Sequence, residues 1–228
     1  MAEKVAIVTG ASKGLGRHIA QRLASENVQV VACARSTELL NTLAKETKNR
    51  IRPFTCDITD AKQVQALIQF TIEQTGRIDY LINNAGLGHF APIEELSEAD
   101  WDEMMQVNLK GSFLTCKYAI PHLKQTKGHI VNISSIAGSV PFAGGGGYCT
   151  TKAGLNMLSE ALAIELKKHE VRVTTISPGS IKTQFGQTKD YALEPEQVAE
   201  TVWNVISAPK SVIFSQITIR PQVPPALQ

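Results

Sequence analysis

Short apolar runs alternate along the chain with longer amphipathic stretches. The runs at Lys4–Thr9, Val28–Ala34, Arg50–Thr55, Asp79–Ile82, Gly128–Ser134, Val171–Ser177 and Ser211–Ile219 read as strands. Between them, Gly14–Ser25, Thr37–Thr47, Lys62–Thr75, Trp101–Leu123, Tyr148–His169 and Glu196–Ser207 carry apolar residues at helical spacing, as Val64, Leu67, Ile68 and Ile72 do in the third. Pro121 predicts a bend in the fourth helix. The strands are continuous apolar runs rather than strict alternations, as a parallel sheet covered on both faces requires. Strand–helix alternation throughout predicts an α/β, doubly wound, mostly parallel seven-stranded sheet with helices on both faces. No repeat or linker divides the 228 residues, so a single domain spanning 1–228 is expected. The glycine run Gly144–Gly147 is read as a loop.

Composition narrows the function classes. Net charge is +2 and the basic residues are scattered, so neither nucleic acid nor an anionic membrane is an expected partner. Met1–Lys4 runs straight into a strand, with no signal peptide, and no apolar run approaches the ~18 residues of a membrane span. Cys33, Cys56, Cys116 and Cys149 form no CxxC pair; reduced thiols in a cytoplasmic protein, with no metal site, are the expected reading.

Three groups of residues carry chemistry. Thr9-Gly10-Ala11-Ser12-Lys13-Gly14-Leu15-Gly16 follows the first strand and opens the first helix. Glycines there let backbone approach a pyrophosphate, and the helix N-terminus offers free N–H groups and a positive dipole end. The spacing is GxxxGxG rather than GxGxxG. The second strand ends in Ala34-Arg35-Ser36, without the acid that would bond the 2′-hydroxyl of NAD. Arg35 and Lys13 instead offer cations for a 2′-phosphate, so NADP(H) is the preferred cofactor and NAD(H) the alternative. Tyr148 and Lys152 lie four residues apart, on one helical face and roughly 6 Å apart along the axis. A free tyrosine is phenolate in only about one molecule in a thousand at pH 7, and a neighbouring ammonium is expected to lower its pKa. YxxxK alone is weak, but Asn83-Asn84-Ala85-Gly86, Asn132-Ile133-Ser134-Ser135 and Pro178-Gly179-Ser180-Ile181-Lys182-Thr183 all follow strands, where open α/β sheets bind ligands.

In order and interval, these motifs resemble the short-chain dehydrogenase/reductase family in its compact Rossmann-type form, over Lys4 to about Ile219. The resemblance implies an oxidoreductase that passes a hydride between NADP(H) and a carbonyl or alcohol. It implies Tyr148 as acid/base, Ser135 as hydrogen-bond donor to the substrate oxygen, Lys152 as modulator of Tyr148 and holder of the nicotinamide ribose, and Asn108 as the holder of a relay water. The interval of thirteen residues to Tyr148 favours Ser135 over its neighbour Ser134. Asp57 would contact the adenine amino group, with Ile58 beside it. Asn84, Ala85 and Gly86 would line the cleft, Ile181 and Thr183 would meet the carboxamide, and Pro178 and Gly179 beside them would also bind the cofactor.

The segment after Thr183 is short, and Leu87, His89, Phe90, Ile136, Val140, Phe142, Phe185, Tyr191 and Leu193 are candidate pocket walls. No Arg there would clamp a carboxylate, although Lys182 and Lys189 could approach a phosphate. A small or extended substrate in an open cleft is expected; the resemblance allows 3-oxoacyl or small-ketone reduction, or hydroxy-acid or alcohol oxidation with NAD. The helices at 101–123 and 148–169 carry two apolar stripes each, which predicts a homodimer or homotetramer through them. The rival readings are a non-catalytic NADP-sensing protein on the same fold and an extended epimerase or dehydratase. The first should have lost part of the site and the second needs a larger C-terminal region.

Overall fold

Seven parallel strands lie side by side in the order β3-β2-β1-β4-β5-β6-β7. The computed structural model describes residues 3–48, 50–183, 185 and 190–222. The strands are β1 (Val5–Thr9), β2 (Gln29–Ala34), β3 (Ile51–Thr55), β4 (Tyr80–Asn83), β5 (His129–Ile133), β6 (Arg172–Pro178) and β7 (Gln216–Ile219). Neighbouring residues on a strand enter different cores. Val30 and Ala32 of β2 pack with α1 (Gly14–Ser25), α2 (Thr37–Glu46) and α7 (Pro195–Ser207); Val31 and Cys33 face α3 (Ala61–Thr75), α5 (Ser112–Thr126) and α6 (Gly146–Leu166). This two-sided burial is why the strands read as unbroken apolar runs. Each fully buried Ile or Leu, such as Ile19 and Leu23 of α1, contributes roughly 1.5–3 kcal/mol.

Three departures from the sequence pattern matter. The helix expected at 101–123 begins at Glu98 as α4 (Glu98–Met104), capped by Ser97 Oγ on Asp100 N, and runs on to Thr126. Its irregularity is a π-helical segment at Met105–Gly111, while Pro121 sits inside α5. The glycine run is half helical, since α6 starts at Gly146. A Cβ on Gly147 would come within 2.4 Å of Met104 Cε, so packing against α4 explains a glycine in the first turn. β7 covers only the end of the apolar run read as a strand, and Val212, Ile213 and Phe214 are exposed. Among the described residues, no helix is long and apolar enough to cross a membrane.

β1 has β2 on one side and β4 on the other, and the chain winds away from it in both directions. The crevice beyond the C-terminal ends of β1 and β4 is therefore the topological switch point, where ligands bind in such sheets.

Candidate active site

The glycine loop opens into that crevice. Gly10 turns with φ +66°, and a Cβ there would meet Ala85 Cα at 2.8 Å. A Cβ on Gly16 would lie 2.4 Å from both Asn84 Nδ2 and Gly10 O. Asn84 ties the two loops together: its Nδ2 donates to Thr9 O at 3.0 Å, and its N donates to Thr9 Oγ1 at 3.0 Å. Asn84 is thus a structural tie as well as a cleft residue. No side chain caps the N-terminus of α1, whereas Asp60 caps α3 and Ser97 caps α4. Uncapped N–H groups, a glycine floor and the dipole end make a cradle that fits a pyrophosphate.

The other expected cofactor residues surround this cradle unevenly. Arg35 and Lys13 are exposed and make no ion pair among the described residues. Ser12 is half-buried in the loop. Asp57 Oδ1 accepts from Thr59 N (2.9 Å) and Thr59 Oγ1 (2.8 Å), which fixes the carboxylate at the end of β3. The side chains of Leu15 and Ile58 lie in the two cores, Ile58 against Gly111, so only their backbones can face a ligand. Pro178 ends β6, and Gly179 N donates to Ile219 O at 2.7 Å. Ile181 bridges to Leu193, while Thr183 packs 3.7 Å from the Cβ position of Gly14.

Deeper in the crevice, β5 and α6 bring Ser135, Tyr148 and Lys152 together. Lys152 is buried and its Nζ lies 5.7 Å from the Tyr148 ring centroid. Nζ donates to Ile133 O at 3.0 Å, its one acceptor among the described residues. An ammonium has three donors. Two therefore remain for a bound polyol, and Gly86, whose Cβ would lie 3.6 Å from Nζ, leaves space beside it. Burial draws Lys152 down to about 8. Burial pushes Tyr148 up to about 12, opposed by its interaction with the Ser135 side chain. The expectation that Lys152 lowers the phenol is overturned here: desolvation dominates both groups, and Tyr148 is a firmly protonated acid. Ser135 also accepts from Ala137 N at 3.1 Å, whereas Ser134 turns to Lys152 O at 3.4 Å.

Asn108 lies in the π-helical segment and is fully buried. Its Oδ1 accepts from Leu87 N (2.8 Å), and its Nδ2 donates to Leu87 O (2.8 Å) and Thr151 Oγ1 (3.0 Å). Both Nδ2 hydrogens are committed, so the side chain braces the loop after β4 against α6. Sequence reasoning missed the polar chain behind this site. Asn83 Nδ2 donates to Asn132 Oδ1 (2.8 Å), Asn132 Nδ2 donates to Ser159 Oγ (2.7 Å), and Thr115 Oγ1 donates to Asn83 Oδ1 (2.6 Å). The available signal was a polar residue at the apolar end of each strand. Among the pocket candidates, Leu193 belongs to the core, and Lys182 pairs with Glu194 at 2.6 Å. Lys189 lies outside the described residues.

Known proteins resemble this chain in sequence and fold. The sequence model described as short chain dehydrogenase matches residues 4–193. An "uncharacterized oxidoreductase" of Staphylococcus aureus strain USA300 is 35% identical over 227 residues, covering 97% of this chain and 98% of the relative. The X-ray structure of an alcohol dehydrogenase from the archaeon Thermococcus sibiricus, complexed with 5-hydroxy-NADP, superposes with a TM-score of 0.90 at 32% identity, covering 97% of this chain and 99% of that one. A metagenomic short-chain oxidoreductase in complex with NADP gives 0.88 at 35% identity, covering 98% and 99%.

Proposed function

Because the chain belongs to the short-chain dehydrogenase family, we propose that it transfers a hydride between NADP(H) and a small carbonyl or alcohol substrate, with Tyr148 as its acid/base and one domain holding both sites. The observation that carries this reading is the convergence of half-buried Ser135 with buried Tyr148 and Lys152 beside the cradle. Once bound, the nicotinamide supplies or accepts the hydride. Tyr148, held protonated by burial, gives its phenolic proton to the substrate oxygen as negative charge develops there. The Ser135 hydroxyl donates a second hydrogen bond to that oxygen. Lys152 offers its two free donors to ribose hydroxyls. Asn108 acts as a positioning residue through Leu87 and Thr151.

The cradle, Lys13 and Arg35 would hold the phosphates, and two structural neighbours are complexed with an NADP compound. These observations support NADP(H) over NAD(H). Phe113, Met157 and Ile164 are exposed on α5 and α6, which supports a homo-oligomer through those helices; sedimentation as a monomer at micromolar concentration would overturn that part. The decisive test is Tyr148→Phe. The variant folds and binds NADPH, and its carbonyl reduction falls at least 10³-fold, on the order expected for loss of a general acid and an oxyanion contact together. Retained turnover refutes the role of Tyr148. A wild-type protein that binds NADPH but reduces no carbonyl would favour the NADP-sensing alternative.

A further inference from the structure

Three phenylalanines from three separate loops meet over Tyr148. Phe90 follows β4, Phe142 precedes α6 and Phe185 follows β6. The Phe90 and Tyr148 ring centroids are 5.6 Å apart, edge to face, and Phe185 and Tyr148 are also 5.6 Å apart. Phe90 lies 5.8 Å from Phe142 and 6.4 Å from Phe185. A Cβ on Gly88 would meet Phe90 Cζ at 2.7 Å and Phe185 Cζ at 3.1 Å, so the backbone of the loop after β4 closes against the ring tips.

Despite this packing the rings remain open to solvent: Phe90 is 47%, Phe142 48% and Phe185 41% exposed. Isolated exposed apolar residues need no explanation, but three aromatic rings gathered over a buried acid form a patch. Among the described residues, the basic side chains nearest these rings in sequence are partnered. His89 Nε2 lies 2.8 Å from Glu103 Oε2, its Nδ1 lies 3.4 Å from Asp100 Oδ1, and Lys182 pairs with Glu194. The mouth therefore offers aromatic faces and edges, and these partnered side chains leave, among the described residues, no free cation beside the rings to hold an anionic substrate.

We infer that Phe90, Phe142 and Phe185 form a recognition wall for an uncharged aryl group, so that the substrates are aryl ketones or aldehydes rather than oxo acids or acyl chains on an anionic carrier. The aryl ring packs against Phe90 and Phe142 by the offset or edge-to-face geometry that rings prefer. Its carbonyl oxygen then reaches Tyr148 and Ser135. This inference rests on the hydride-transfer reading above and narrows its substrate.

The test compares acetophenone, 2-butanone, pyruvate and acetoacetate with NADPH, in the wild-type protein and in Phe90→Ala and Phe142→Leu. Acetophenone is expected to show the highest kcat/KM. Its advantage over 2-butanone should fall about threefold to tenfold for each ring removed. A higher kcat/KM for pyruvate or acetoacetate overturns the inference, as does an aryl preference unchanged in both variants. Saturation-transfer NMR of acetophenone against the NADPH-loaded protein separates the two readings. Binding that weakens in Phe90→Ala, without turnover of any carbonyl, supports the aryl wall and defeats the hydride-transfer reading. Absence of both binding and turnover defeats both.

Discussion

Lys152 gives the most quantitative prediction. The residue is 4% exposed, and burial lowers its pKa from 10.5 to about 8. A lysine depressed on folding destabilises the native state fully below its folded pKa. The penalty fades as pH rises from 8 to 10.5, where the unfolded chain binds more protons than the folded one. Integrated from pH 7 to pH 9.5, that difference stabilises the wild-type fold by about 2 kcal/mol. Lys152→Met keeps much of the side-chain volume and removes the titration. At pH 7 the variant escapes the penalty but loses the bond to Ile133 O, so the absolute difference there is small. The informative quantity is the change with pH: relative to the variant, the wild type should gain about 2 kcal/mol between pH 7 and pH 9.5. For a chain of this size that is roughly 4–8 °C in Tm. Cofactor-free protein unfolded in urea, followed by the fluorescence of Trp101 and Trp203, measures it. Parallel pH dependence of the two proteins, within about 0.5 kcal/mol, would refute the claim that Lys152 is held desolvated.

Other expectations follow from the same geometry. His129 is buried with Nε2 on Thr174 Oγ1, and burial draws its pKa from 6.5 to about 3. Stability should be complete above pH 6.5 and fall by about 2 kcal/mol from pH 7 to pH 5, a slope that urea titrations should find absent in His129→Gln. Gly16→Ala pushes a Cβ into Gly10 O and Asn84 Nδ2, and should cost about 1–3 kcal/mol in unfolding free energy and weaken NADPH binding measured by fluorescence titration. Unchanged affinity would remove the glycine loop from the binding site. Arg35→Ala should lower kcat/KM with NADPH roughly 10- to 100-fold, the worth of a charged hydrogen bond, while leaving NADH nearly untouched. An equal loss with both cofactors would place Arg35 elsewhere in binding.

The sheet and its order of elements were legible because a doubly covered parallel strand must be apolar on both faces, as β1 and β2 are. The neighbourhood of Ser135, Tyr148 and Lys152 was legible because motifs at strand ends converge by topology. Other features left weaker traces. The π-helical segment preserves nearly the same apolar spacing as an α-helix, so Met105–Gly111 looks ordinary in sequence. Pro121, the position expected to bend the helix, lies ten residues beyond that segment, inside α5. The sign of the Tyr148 shift was misread because helical spacing reveals the distance to Lys152 but not the loss of solvent around both. The aromatic wall draws on loops some fifty and forty residues apart, a juxtaposition no local pattern encodes.

Thr183 lies beside Gly14, 3.7 Å from where a Cβ would stand, which brings the last ligand loop to the first. Between them lie β2 through β6, each paired through non-local parallel registers. Such pairings carry a large loop-closure entropy and form slowly compared with helices. The proposed catalytic pocket is therefore incomplete until these long-range pairings have formed. A nascent or proteolysed chain ending before Thr183 can hold its helices and the glycine loop while offering an unfinished cleft. During refolding, recovery of helical signal should run ahead of recovery of activity, and turnover becomes a timer for completion of the whole sheet.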